Sequence, residues 1–155
     1  MRLQIREANE TDYEDVERMV LESFKPITWA RTLDQRYGPL NGLDWRTRWR
    51  LRLQKIFAEQ IVLLGEAGGV LVAMASGTIE KPTALAYIEL LAVAPDSQGH
   101  GYGRAMLNGV ISHMRNLGAQ YIHLDCLTDN DRANALYQAE GFEEVARQIR
   151  WFRKT

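Results

Sequence analysis

One cysteine, Cys126, is all the thiol chemistry in this chain of 155 residues, which excludes an intrachain disulfide framework and leaves a metal site without a thiolate set. The histidines, His100, His113 and His123, show neither the i, i+4 pairing nor the carboxylate spacing of a zinc site, so no metal is expected. No apolar run is long enough to span a bilayer, and the opening Met-Arg-Leu-Gln-Ile-Arg-Glu lacks the apolar core of a signal peptide, so the expected location is cytoplasmic. Charge of one sign is missing too. With 19 basic and 20 acidic side chains the formal charge is −1, and nothing global favours nucleic acid, an anionic membrane or a polycationic partner. Internal repeats, low-complexity segments and linkers are absent. What is there, 46% apolar and 25% charged residues, reads as a single globular domain over 1–155, large enough to bury a core.

The chain is organised around residues 89–104. An apolar run at 87–94 reads as a strand, stopped by Pro95 and Asp96, and a glycine-spaced turn then feeds a periodic helical segment. Gly99, Gly101 and Gly103 remove the Cβ atoms that would keep a ligand off the backbone, and the first N–H groups of the following helix lack intrahelical acceptors. Phosphate oxygens suit such donors, helped by the positive end of the helix dipole.

In chain order, residues 3–8 alternate as a first strand, and Thr11 with Glu14 offers a capping box for an amphipathic helix ending near Phe24. Residues 25–43, with Pro26, Gly38, Pro39 and Gly42 among aromatics and charges, read as loop or short helix. Residues 44–59 form a further helix, apolar on one side through Trp45, Trp49, Leu53, Ile56 and Phe57 and basic on another, with the spacing of a packing helix. Strands at 61–64 and 70–79 are joined by a hairpin turn at 67–69; a turn at 81–83 leads to the 87–94 strand, completing an antiparallel meander. After the glycine turn come a helix ended by Gly118, a strand at 121–127, a short helix at 132–140 closed by Gly141, and a last strand over most of 142–152. The order β-α-α-β-β-β-α-β-α-β defines an α/β domain, α+β in type, with a mixed, mostly antiparallel twisted sheet and helices on both faces.

Two phosphate-binding motifs fail on spacing. A P-loop needs Lys followed by Ser or Thr after its last glycine, and Gly103 is followed by Arg104 and Ala105. A dinucleotide fingerprint needs Gly-x-Gly-x-x-Gly, but Arg104 or Met106 stands in the third place; Asp125 lies at the distance of a ribose-binding acid, yet too few elements follow for a doubly wound sheet. Instead, Gln98-x-x-Gly101-x-Gly103 after Leu91-Ala92-Val93 resembles the signature of the GNAT superfamily of acetyl-coenzyme A-dependent N-acetyltransferases. Asn130-x-x-Ala133-x-x-Leu136-Tyr137, followed by Gly141-Phe142, resembles that superfamily's C-terminal motif at its usual spacing, and the resemblance extends from Leu3 to Phe152. Residues 25–43 match nothing in it.

The resemblance implies that backbone amides of Gly99, His100, Gly101, Tyr102, Gly103 and Arg104 cradle the pyrophosphate of acetyl-coenzyme A, with Gln98 at the motif's first position. It implies that Leu91, Ala92 and Val93 pair with the pantetheine arm as an added strand, at a point where the sheet splays, and that Asn130 holds the cofactor near its thiol end. Acetyl transfer to an amine needs a neutral nucleophile, stabilisation of developing oxyanion charge and a proton for the departing thiolate. Tyr137 is the acid that the resemblance implies; read alone, it is also a core tyrosine. Glu89, the only charge in an apolar strand, is the candidate base, with a structural ion pair to an arginine as the alternative; the resemblance implies Asp125 as the other candidate base, since some members of the family place an acid five residues before the motif Asn, here Asn130. Strand alternation sends Cys126 opposite His123 and Asp125, which makes it a core residue.

The resemblance places the acceptor over residues 24–49, where Trp29, Tyr37, Trp45 and Trp49 can wall a pocket and Arg31, Arg36 or Arg46 can pair with an acceptor carboxylate. A small-molecule amine is therefore expected, with no nucleic acid and no membrane partner; many members of the family are dimers, which leaves a homodimer open. Rival classes are a non-catalytic acyl-coenzyme A sensor of the same fold, a dinucleotide-binding domain, and a nucleic-acid binder using the basic helix.

Overall fold

A computed structural model describes residues 2–155. The chain forms two compact units, divided after Asp125.

The first unit runs β1 (Gln4–Glu7), a 3-10 turn (Glu10–Asp12), α1 (Tyr13–Phe24), α2 (Trp29–Tyr37), α3 (Trp45–Glu59), β2 (Ile61–Ala67), β3 (Val70–Glu80), β4 (Leu85–Val93), a second 3-10 turn (Pro95–Ser97), α4 (Tyr102–Asn116) and β5 (Tyr121–His123). The sheet order is β1-β2-β3-β4-β5; the first four strands are antiparallel neighbours, and β5 runs parallel to β4. Gly68 and Gly69, with φ of 58° and 78°, make the tight β2–β3 turn, since left-handed values at both central positions match the twist of a hairpin. A parallel neighbour cannot be reached by a tight turn, and α4 is the crossover that reaches it.

Strand alternation turns Val62, Leu64, Met74, Leu90 and Ala92 toward α1 and α3, where they bury Val16, Val20, Trp45, Trp49, Leu53 and Ile56. Each such side chain removed from water contributes about 1.5–3 kcal/mol. On the other face α4 buries Met106, Leu107, Val110 and Met114. The helix lies close: a Cβ at Gly77 of β3 would stand 2.9 Å from Met114 Cε and 2.2 Å from Tyr87 O.

The second unit contains α5 (Asp131–Ala139). Asn130 caps it, its Oδ1 accepting from Ala133 N–H at 3.3 Å. At the far end Gly141 takes φ 90°, its N–H donates to Gln138 O, and Phe142 N–H donates to Tyr137 O, which is a Schellman cap; the Phe142 and Tyr137 rings lie 6.0 Å apart as its apolar contact.

The structure corrects the sequence reading at several points. The 142–152 segment contains no strand: a strand needs a ladder partner, none among the described residues pairs with it, and Val145, Ile149 and Trp151 stand 91%, 77% and 86% exposed. β5 stops at His123, four residues early, so alternation does not extend to Cys126, which is half-buried rather than core. Of the two readings left open for 25–43, loop or short helix, the structure shows the helix, α2, opened by the Thr28 side chain. The capping box belongs to Asn9 and Asp12, not Thr11 and Glu14. Among the described residues no helix is long and apolar enough to cross a membrane.

Candidate active site

β4 is the strand on which the site is built, and two irregularities shape it. The first is a bulge: Ser76 pairs with Leu90 and Gly77 with Ile88, so Glu89 has no partner in β3. A bulge re-aims its side chain. Glu89 Oε1 accepts from Gln60 Nε2 at 2.8 Å, and Oε2 accepts from Arg52 Nε at 3.2 Å. The arginine ion pair that the sequence left open as Glu89's structural role is thus present.

The second irregularity is a parting of strands. β5 pairs with β4 only at Leu85↔Tyr121, Ala86↔Ile122 and Tyr87↔His123. Beyond Tyr87 no strand among the described residues pairs with that edge of β4. Ala94 N–H donates to Val72 O on the β3 side, so by antiparallel alternation Leu91 and Val93 direct their backbone groups to the open edge, while Ala92 points to β3. The Val93 carbonyl there accepts from Ser23 Oγ at 2.9 Å and Gln98 Nε2 at 3.3 Å. Gln98 therefore ties the glycine turn to the end of the strand.

The turn itself has Gly99 at φ 84° and Gly101 at φ 81°, values that L side chains rarely adopt. Gly101 is the N-cap of α4 and supplies no side-chain acceptor, and no acid stands in the first turn. The first N–H groups of α4 thus receive no cap from the Gly101 position or from an acid in the first turn. His100 Nδ1–H donates to Ser97 O at 3.2 Å, and its ring lies 5.9 Å from that of Tyr102. Uncapped amides at a positive helix end, next to an unpaired strand edge, fit a phosphate joined to an extended amide-bearing arm.

Where β4 and β5 part, Tyr87 Oη lies 3.3 Å from both oxygens of Asp125, and its ring packs 4.9 Å from His123. Burial, then the charge of Asp125, pushes the Tyr87 phenol up to about 12, so it stays a proton donor through the neutral range. Sequence reasoning passed over Tyr87. Only the β4–β5 register brings it to Asp125, and no signal in the sequence carries that register. In the second unit, the side chain of Asn130 serves the α5 cap, and Tyr137 stands in that helix.

The aromatic wall drawn from the sequence is half lost. Trp45 and Trp49 are core residues; Trp49 stacks on Phe24 at 5.2 Å and donates to Thr28 Oγ1, while Trp29 and Tyr37 remain exposed. The basic face of α3 is largely neutralised, with Arg48 on Asp34, Arg50 on Glu17 and Arg52 on Glu89, as suits a packing helix. Among the described residues no cluster of His, Cys, Asp and Glu could hold a metal ion.

A sheet parted beside a glycine turn, with the turn opening a helix, suits a class of protein that binds a phosphate-bearing ligand. The chain belongs to the acetyltransferase (GNAT) family, whose model matches residues 24–142. It is 36% identical over 74 residues to the mycothiol acetyltransferase of Geodermatophilus obscurus, covering 48% of this chain and 24% of that one. It is 35% identical over 74 residues to an aminoglycoside N(6')-acetyltransferase type 1 of Stenotrophomonas maltophilia, covering 48% and 47%. These alignments span less than half of either relative. Among solved structures, AAC(6')-Iy in complex with the bisubstrate analogue CoA-S-monomethyl-acetylneamine superposes with a TM-score of 0.72 at 18% identity over 100% of both chains, a likeness that shows the fold.

Proposed function

We propose that this protein is an N-acetyltransferase that moves an acetyl group from acetyl-coenzyme A to the primary amine of a small molecule, by direct transfer in a ternary complex, and that residues 1–155 act as one such domain. The observation that carries the reading is the open edge of β4 running into the glycine turn and the uncapped start of α4. Amides of residues 99–104 hold the pyrophosphate, and the Leu91 and Val93 backbone pairs with the pantetheine arm. Acetyl-coenzyme A supplies the activated acyl group as a thioester. Family membership supports it, as do relatives whose names specify small-molecule acceptors, mycothiol and aminoglycosides.

Tyr137 is the acid that protonates the departing thiolate, on the strength of the motif around it, and Asn130 stands at the motif position near the thiol. The acceptor's proton goes to Glu89 or Asp125. Both Glu89 oxygens are engaged within the fold, one by Arg52 and one by Gln60, while Asp125 is exposed, with no Lys or Arg partner among the described residues, and this access favours Asp125. The test is release of free thiol from acetyl-coenzyme A over a panel of primary amines. Tyr137→Phe and Asp125→Asn are expected to lower kcat at least a hundredfold, and Glu89→Gln less than tenfold. Unchanged turnover in Tyr137→Phe would remove the acid; a hundredfold loss confined to Glu89→Gln would return the base to Glu89.

A further inference from the structure

Of the side chains in the glycine turn, that of His100 is the one whose residue type changes charge in the neutral range, and the fold settles one of its two ring nitrogens. Nδ1 lies 3.2 Å from the Ser97 carbonyl, which only accepts, so Nδ1 carries a proton whether the ring is neutral or charged. The neutral ring therefore presents a lone pair at Nε2, and the imidazolium presents an N–H there. The side chain is exposed, stands between Gly99 and Gly101, both at positive φ, and its ring lies 5.9 Å from the Tyr102 ring at an interplanar angle of 23°. That contact sets the imidazole beside the first residue of α4, among the amides proposed for the pyrophosphate. Among the described residues no carboxylate pairs with it.

We propose that His100 makes the hold on coenzyme A depend on pH: as an imidazolium it adds an Nε2–H donor and a positive charge to the amides that receive the pyrophosphate, and as a neutral ring it sets a lone pair against the same oxygens. This rests on the acetyl-transfer reading and adds a regulation to it, since binding of the cofactor takes up a proton. The proton comes from solvent to Nε2 as the pyrophosphate arrives, and no covalent bond between heavy atoms forms or breaks. A bound anion favours the protonated ring. Affinity is therefore full below the ordinary imidazole value of about 6.5, falls as pH rises above it, and levels off once the bound ring too has lost its proton. The titratable or charged groups about the ring are Tyr102, in contact with it on α4, Arg104 in the first turn of that helix, and Asp96 in the preceding 3-10 turn. Phenols, guanidinium groups and exposed carboxylates ordinarily titrate outside the range of imidazole. The slope with pH is thus assigned to His100.

The test is calorimetric titration of the whole protein with coenzyme A and with 3′-dephospho-coenzyme A, from about pH 5.5 to about pH 8.5, a range that spans the imidazole titration. Pairs of buffers with different ionisation heats count the protons exchanged. The dephospho ligand is needed because a phosphomonoester itself titrates near pH 6, roughly where imidazole does. With that ligand the parent is expected to bind roughly tenfold more weakly at the upper end of the range than at the lower, and to take up protons at about pH 7. His100→Gln should bind at the weaker level throughout, without uptake. His100→Lys, charged over the whole range, should bind at the tighter level throughout, a rescue that a merely structural role would not give. Thermal unfolding without ligand reports the folding of both variants. Binding of the dephospho ligand that does not vary with pH in the parent, or a slope that survives in His100→Gln, overturns the proposal and leaves the cofactor reading standing. No binding of either ligand at any pH overturns that reading and the proposal with it.

Discussion

Ser76 carries a cost that nothing in the fold returns. It is fully buried in β3 opposite Leu90, and its hydroxyl has no partner among the described residues. An unpaired buried hydroxyl costs on the order of 1–3 kcal/mol, so Ser76→Ala is expected to stabilise the protein by about 1 kcal/mol, read as a higher urea midpoint with an unchanged slope. A lower midpoint would mean that the hydroxyl is satisfied in solution. Residues of this kind differ in what a sequence reveals. Gly99, Gly101 and Gly141 are legible because each serves a local geometry, a turn or a helix end, that its neighbours announce, whereas Asn130, read only as a motif residue at the cofactor, is the α5 cap. Tyr87 is not legible, because its role depends on which residue of another strand lies beside it.

At the scale of elements, β1 is fastened to the start of α1 by charge. Arg6 donates to Asp12 through two nitrogens, at 2.9 and 2.8 Å, and also to Glu66 on β2. The Arg6 hydrogen bond, opposed by burial and helped by the Asn9 backbone, holds the Asp12 carboxyl at about 2, below its ordinary 3.8. A depressed carboxyl contributes stability that is present above its unfolded value and is lost as pH falls toward the folded one. Asp12→Asn should therefore cost about 1 kcal/mol at pH 7, a figure reduced for the exposure of Arg6, and the gap to the parent should close between pH 3.8 and about 2 in parallel urea titrations. A gap that persists below pH 2 would assign the loss to packing instead. Most elements could be read from period and punctuation: α3 and α4 from apolar spacing, β2 and β3 from the glycine pair between them. What period and punctuation left open or got wrong depends on tertiary partners: α2, one of two readings for its segment, is held by contacts such as Asp34 on Arg48, and 142–152, misread as a strand, has the alternation without a neighbour among the described residues to pair with.

At the scale of the molecule, the fold places a helix end and a bare strand edge side by side, and the family signature in the sequence marks both. Gly101 is the hinge of that arrangement. Its φ of 81° strains the backbone of any L side chain placed there, and with no atom within 4 Å of where its Cβ would be, that side chain enters the space proposed for the pyrophosphate. The most direct measurement is thermal unfolding of the parent and of Gly101→Val, each alone, with acetyl-coenzyme A and with NAD. Acetyl-coenzyme A at a hundred times its Kd should add about 2.7 kcal/mol to the parent, seen as a rise of several degrees, while NAD adds nothing and Gly101→Val loses the response. Stabilisation of the parent by NAD alone, or by neither ligand, would contradict the claim that β4 and the glycine turn hold acetyl-coenzyme A.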